Sequence, residues 1–319
     1  MKYEISSELK ALQDQTLENL KNSKSKNTVR AYKSDFKDFE FFCAKLNMKS
    51  LPSDPKVVSL YLTNLSQLSF KTSTIRRRLV SIATVHKHRG FYIDIKNPII
   101  TENFLGIKRK IGIYQKGKKP LLYNNIKEIV DVIDVTIVNE LQLHRDKSIL
   151  LLGFSGGFRR SEIVSLDYED LEFVDEGLKI TIKRSKTDQL GAGSVKGIPF
   201  SHSEKYCPVK SLKKHLEKSK ITKGPVFRSL LKGSLASEKR LTDQSIAIVV
   251  KKYLELVGLN KNQYSGHSLR SGFATSTAAA GADERSIMAM TGHKSTEMVR
   301  RYIKESNLFR NNALDKLNT

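Results

Sequence analysis

Five short segments in the second half of the chain carry side chains suited to handling phosphate. The first, Gly156-Gly157-Phe158-Arg159-Arg160-Ser161-Glu162-Ile163, is a glycine turn running into a helical pattern. Arg159 would present a planar fork to phosphate oxygens, and Glu162 shares its helix face and could hold it. The second, Arg184 to Gln189, lies between two predicted strands and places Lys186 at the lip of a hairpin, where an ammonium can protonate a leaving oxygen. The third, Gly266-His267-Ser268-Leu269-Arg270, sets His267 and Arg270 on one helix face, with Gly272, Ala274 and Ala278–Ala280 behind them for close packing. The fourth, Thr291-Gly292-His293-Lys294-Ser295, is a turn that opens a helix. The fifth is Tyr302, a phenol of pKa ~10 that needs cations or a base beside it to become a nucleophile. Each has a bland reading: a surface ion pair, a solvated hairpin lysine, a packing tyrosine.

The rest of the composition narrows the chemistry. The chain has 319 residues, with 56 Lys+Arg against 33 Asp+Glu and a net charge of +23, which points to a polyanionic partner. At 39% hydrophobic it can bury real cores, and its length suggests about two domains. Segment 71–119 holds thirteen of the cations and only two carboxylates. Lys71, Arg76, Arg77, Arg78, Lys87, Arg89, Lys108, Arg109 and Lys110 are its candidate DNA-backbone contacts. The longest apolar stretch, Ile149–Phe154, is far short of the ~20 residues that span a bilayer. Glu4 and Glu8 stand where a signal peptide needs an apolar run, and two cysteines make no disulfide framework. A cytoplasmic, nucleoid-associated protein that binds no membrane is the expectation.

The elements that must position these residues change character along the chain. Residues 1–112 read as helical: Asn27 or Thr28 caps a helix through Leu46 with Tyr32, Phe36, Phe39, Phe42 and Cys43 on one face. Asp54-Pro55 starts a second, Ser73 or Thr74 a third through His88, and a last one lies near Glu102–Ile111. A polar, basic linker spans 113–121, and the rest of the chain, 122–319, forms a second domain. There helical patterns at 124–133 and 142–155 give way to strands at Leu171–Val174, Leu178–Lys183 and Val195–Phe200. Helices resume at 208–219, 242–257, 266–280, 283–290 and 295–304, and Leu308, Leu314 and Leu317 mark a tail helix. The fold class is mainly α with a small antiparallel β-sheet.

Taken in this order and at these spacings, GGFRRSEI, RSKTDQ, GHSLR, TGHKS and RRYI resemble the tyrosine site-specific recombinases, or phage-integrase family. The nine positions from His293 to Tyr302 match as well, and the resemblance of the catalytic half covers roughly residues 140–305. TVRAYKSDFKDFEFFC and STIRRRLVSIATVHK resemble the family's helical, SAM-like core-binding domain, giving a Xer- or Cre-like layout of two domains with no separate arm-binding module ahead of them. The resemblance implies that Arg159 and Arg270 clamp the scissile phosphate and Glu162 buttresses them. It makes Lys186 general acid to the 5′ oxygen, with Lys196 as a fallback. His267 would assist proton transfer, His293 would hydrogen-bond the phosphate, and Tyr302 would form a 3′-phosphotyrosyl bond. That bond conserves the energy of the broken one, so neither metal nor ATP is implied.

The implied partners are a specific double-stranded DNA site and three further copies of the chain, as a homotetramer on DNA that is monomeric or weakly associated when free. Integration of a mobile element and housekeeping resolution both fit. Three rivals remain. A catalytically silent DNA-binding protein of the same fold would not need the full set of six residues. Against a type IB topoisomerase, the GHSLR histidine and the short two-domain layout favour recombination, and an RNA-binding module would place exposed aromatics in the basic stretch.

Overall fold

The computed structural model describes residues 10–12, 15–16, 18–19, 23–114, 117–185, 188, 191–231, 235–308 and 317. The chain divides into two compact units, residues 1–116 and 117–319.

Four helices make up the described core of the first unit. Helix α1, Lys26–Lys45, is capped by Ser25, whose Oγ accepts the Thr28 N–H at 3.3 Å. The cap thus lies two residues before the expected Asn27, because Thr28 already occupies the third helical position. Asp54 caps α2, Pro55–Gln67, by accepting the Lys56 N–H. Helix α3, Thr72–His88, starts at Lys71 without a side-chain cap, since Thr72 is buried against the core. Helix α4, Pro98–Ile111, begins earlier than Glu102, with Asn97 accepting the Ile99 N–H ahead of the proline.

The aromatic stripe of α1 turns inward as its spacing requires. Phe36, Phe39 and Cys43 are buried with Tyr61, Leu62, Leu65, Ile75, Ile82, Ile100 and Phe104. Two of the basic residues of α3 pair with carboxylates of α1. Arg77 pairs with the buried Asp35 at 2.5 Å, and Arg78 pairs with Asp38, donates to Tyr61 Oη at 2.8 Å and stacks on Phe70. These arginines cross-link α3 to α1 and α2. Arg77 remains exposed above its pair with Asp35, whereas Arg78, with a side chain 12% exposed, is held by Asp38 and Tyr61. Lys71, Arg76, Lys87, Arg89, Arg109 and Lys110 stand exposed, and Lys108 lies over the Phe104 ring.

The second unit is built around a helix whose C-terminal half is apolar on every side. Helix α6, Glu140–Ser155, buries Ile149, Leu150, Leu151, Leu152 and Phe154. Around it lie α5 (Tyr123–Thr136), α7 (Arg160–Ser165), α8 (Pro208–Ser219), α9 (Asp243–Leu256) and α10 (Ser268–Ala279). A three-stranded antiparallel sheet follows α7: β1 (Leu171–Val174), β2 (Gly177–Ile182) and β3 (Ser194–Pro199). Its register pairs Leu178 with Ile198 and Ile180 with Lys196. A Cβ on Gly177 (φ 155°) would meet Ile198 O at 2.1 Å, so only glycine opens β2.

A second hairpin, β4 (Arg228–Leu231) with β5 (Leu235–Arg240), has no counterpart among the predicted strands. Neither strand has a consistently buried face, so the sequence shows no alternation of period two. Helices α11 (Glu284–Thr291) and α12 (Thr296–Ser306) pack against α10 through Ala274, Ala278, Ile287 and Val299. Gly272 of α10 lies so close to Leu121 that a Cβ there would stand 1.8 Å from its carbonyl oxygen. Leu314 of the predicted tail helix lies outside the described residues. Among the described residues, no helix is long and apolar enough to cross a membrane.

Candidate active site

Helix α6 ends at the two glycines that open the site. Gly157 takes φ 55°, and a Cβ there would stand 3.0 Å from Thr291 Cγ2 and 3.2 Å from Phe273. The turn thereby folds two backbone carbonyls inward. Gly157 O accepts from Arg270 Nη1 at 2.9 Å, and Gly156 O accepts from Lys196 Nζ at 2.7 Å. Phe158, fully buried, lies under the Lys196 ammonium at 4.3 Å. Gly157→Ala is expected to cost about 1–3 kcal/mol, from the left-handed backbone and the crowding at Thr291. Thermal unfolding of the variant checks it.

Beyond the turn, Arg159 is the N-cap of α7, and Glu162 binds it twice. Glu162 Oε2 accepts the Arg159 N–H at 2.9 Å, and Oε1 accepts from Nη1 at 2.6 Å. The carboxylate is 3% exposed and the arginine side chain 15%, so the pair is fixed and largely dry. Arg160 goes elsewhere. Its stem packs on Gly266 and its guanidinium lies 3.6 Å from Asp243, half in solvent. Geometry therefore singles out Arg159 of the two neighbours.

Arg270, on the first turn of α10, is fully buried, and among the described residues only Nη1 has a partner, while Nε and Nη2 have none. Burial, with the nearby Arg159 charge, brings its pKa down to about 10. Burial is also the main reason that Lys196 is lowered to about 8, and Arg270 and Arg159 add to the shift while Glu162 opposes it. A desolvated guanidinium with two idle nitrogens is costly unless an anion completes it.

The remaining residues close on this cluster from α10–α12. His293 is half-buried, with Nδ1 2.8 Å from Thr291 Oγ1. Burial and then the charges of Arg270, Arg159, His267 and Lys196 lower its pKa to about 4, so it is neutral. Tyr302, also half-buried, faces it with ring centroids 6.0 Å apart. Burial raises the tyrosine's pKa, against a lowering by Arg270. His267 is exposed at the start of α10.

Lys186 lies outside the described residues. Among the described residues near it, Ser185 bridges to Asp188, whose carboxylate accepts the Gly191, Ala192 and Gly193 N–H groups. Of the sequence-predicted residues, the fold therefore gathers Arg159, Glu162, Arg270, His293 and Tyr302, with Lys196 joining from β3. Sequence reasoning overlooks the Gly156 and Gly157 carbonyls and Thr291. The threonine's only sequence signal is its place two residues before a histidine at a helix end.

Comparison with known proteins assigns the family. The profile of the phage integrase family matches residues 119–308, and that of the phage integrase N-terminal SAM-like domain matches residues 14–88. The chain is 38% identical over 301 residues to the integrase/recombinase xerD homolog of Selenomonas ruminantium, covering 93% of this chain and 87% of the relative. It is 27% identical over 303 residues to tyrosine recombinase XerC of Syntrophus aciditrophicus (strain SB), covering 89% and 88%. Among solved structures, the Tn1549 transposon integrase in complex with transposon right end DNA has a TM-score of 0.59 at 17% identity, covering 93% of each chain. A lambda integrase dimer bound to a core site has a TM-score of 0.57 at 16% identity, covering 92% and 95%. The two structures establish the shared fold, a helical SAM-like domain followed by a mainly helical catalytic domain with a small antiparallel sheet. With both domains matched and a relative of this similarity along nearly the whole sequence, the chain belongs to the phage integrase family, the tyrosine recombinases.

Proposed function

We propose that this chain is a site-specific DNA recombinase or integrase working through a 3′-phosphotyrosyl intermediate. The observation that carries this reading is Arg270, buried with Nε and Nη2 unpartnered among the described residues, beside Arg159 and within reach of the Tyr302 charge. A phosphodiester supplies what that cluster lacks: two non-bridging oxygens that bind both guanidiniums. Tyr302 Oη attacks phosphorus, the bond to the 5′ oxygen breaks, and that oxygen takes a proton from Lys186, with Lys196 as the alternative donor. Attack by the freed 5′ hydroxyl of a partner strand reverses the sequence and rejoins DNA. His267 assists the departure of the phenolic proton.

The partner is double-stranded DNA, and exchange between two sites calls for four copies of the chain on the DNA. A random-sequence library of nicked duplexes, screened for adducts that survive detergent denaturation, tests the chemistry and yields the site. Covalent capture that persists in Tyr302→Phe would exclude Tyr302 as the nucleophile.

The broad positive surface has a separate readout. Replacing exposed Arg76, Lys87 or Lys110 with Gln is expected to flatten the slope of log affinity against log salt by about 1 for each phosphate that the cation neutralised. Single-turnover cleavage at saturating protein stays unchanged. Arg78→Gln behaves differently, because it breaks the Asp38 pairing and lowers the melting temperature. Fluorescence anisotropy across a salt series, paired with thermal unfolding, separates the two classes.

A further inference from the structure

Thr291 does more than end helix α11. Its side chain is completely buried, and its Oγ1 donates to Ile287 O at 2.6 Å. A hydroxyl has one hydrogen, and here the carbonyl takes it. The contact of 2.8 Å between Thr291 Oγ1 and His293 Nδ1 therefore needs its proton from the imidazole. Were the threonine to donate to Nδ1 instead, two oxygens 2.6 Å apart would face each other with no hydrogen between them. The neutral ring consequently carries its proton on Nδ1, and Nε2 is bare.

We infer that Thr291 is a positioning residue that fixes His293 in the Nδ1–H form, so that Nε2 accepts the phenolic proton of Tyr302 during attack. In that step the Tyr302 O–H bond breaks as the O–P bond forms, and the proton passes to Nε2. The imidazolium so formed can then donate to a phosphate oxygen, which the neutral ring cannot do from a bare nitrogen. His267, exposed and near enough for its charge to bear on His293, returns the proton to solvent.

The surroundings suit an acceptor. Arg270 of α10, Arg159 before α7, Lys196 of β3 and His267 all disfavour a charged ring, while Tyr302 packs against it from α12. Glu305 and Arg301 of α12 bear on the tyrosine with opposite signs. A bound phosphate offsets the cations and lets the proton in as the reaction proceeds. Gly157, whose missing Cβ leaves room for Thr291 Cγ2, keeps the threonine seated. This inference rests on Tyr302 being the nucleophile.

Two measurements test it. Long-range nitrogen–proton NMR of the DNA-free chain, with His293 assigned by comparison with His293→Asn among the seven histidines, reads the tautomer without any DNA chemistry. The expected result is a proton on Nδ1 in the unaltered protein and its loss from that nitrogen in Thr291→Val. On duplexes selected for adduct formation, Thr291→Val is expected to cleave at least about tenfold more slowly at unchanged DNA affinity, with Thr291→Ser restoring the rate. The pH–rate profile of Thr291→Val loses the limb that belongs to His293. A proton on Nε2 in the unaltered protein overturns the proposal. So does an unchanged rate in Thr291→Val, or a loss that Thr291→Ser fails to recover. No adduct from the unaltered chain on any duplex would instead bring down the nucleophile assignment, whatever the tautomer.

Discussion

Tyr302→Phe is expected to abolish covalent capture of DNA while leaving DNA affinity and the melting temperature close to those of the unaltered chain. The phenol oxygen is the only atom removed, and it is the atom that would bond to phosphorus. The ring itself fills the space between α12 and His293, and Phe keeps that packing. Burial holds the phenol above its ordinary pKa in the absence of DNA, with Arg270 pulling the other way. The tyrosine thus rests protonated and unreactive until a phosphate and a proton acceptor are both in place. Gel electrophoresis under denaturing conditions reads the adduct, and a filter-binding series reads affinity. An adduct of normal yield in the Phe variant would move the nucleophile to another residue.

The second large effect carries opposite signs for activity and stability. Arg270→Met is expected to lower cleavage by about 10²–10³-fold, the loss typical of one preorganised donor to a developing charge. The same change should leave the DNA-free protein equally or more stable, by up to about 1–3 kcal/mol. Among the described residues the buried guanidinium has one hydrogen bond and two idle nitrogens, and an apolar chain of similar length avoids that desolvation. Gly157 O loses a donor in exchange, which limits the gain. Urea unfolding beside single-turnover cleavage measures both quantities. A variant that is both inactive and destabilised by several kcal/mol would mean that Arg270 holds the resting fold together.

Much of the chemistry is legible in the chain because it depends on residue type and order. The five segments keep their identities whatever the fold, and glycine turns, caps and helical periods are local signals. Asp54-Pro55 caps α2 as its types require, and the aromatic stripe of α1 turns inward. The three strands of the sheet fall within a residue of their predicted bounds, because Gly177 and the apolar positions of β2 alternate cleanly. The hairpin of β4 and β5 escapes prediction for the converse reason.

Residue types and their order are enough to establish that the chain is basic, that it is rich enough in apolar residues to fold, and that it carries arginine, histidine and tyrosine in a family order. Which of these groups act together is settled by packing. The fold separates Arg159 from Arg160 through Glu162 on one side and Asp243 on the other. It covers most of Arg78 by pairing it with Asp38, while Arg77 stays exposed above its pair with Asp35. It also brings Arg270 onto a carbonyl 113 positions away and sets His293 Nδ1 2.8 Å from the hydroxyl of a buried threonine. Those outcomes depend on burial and on hydrogen bonds that local spacing does not dictate. Spacing fixes which groups share a helix face, whereas desolvation and partner geometry, which set charge and proton position, arise only when the segments pack.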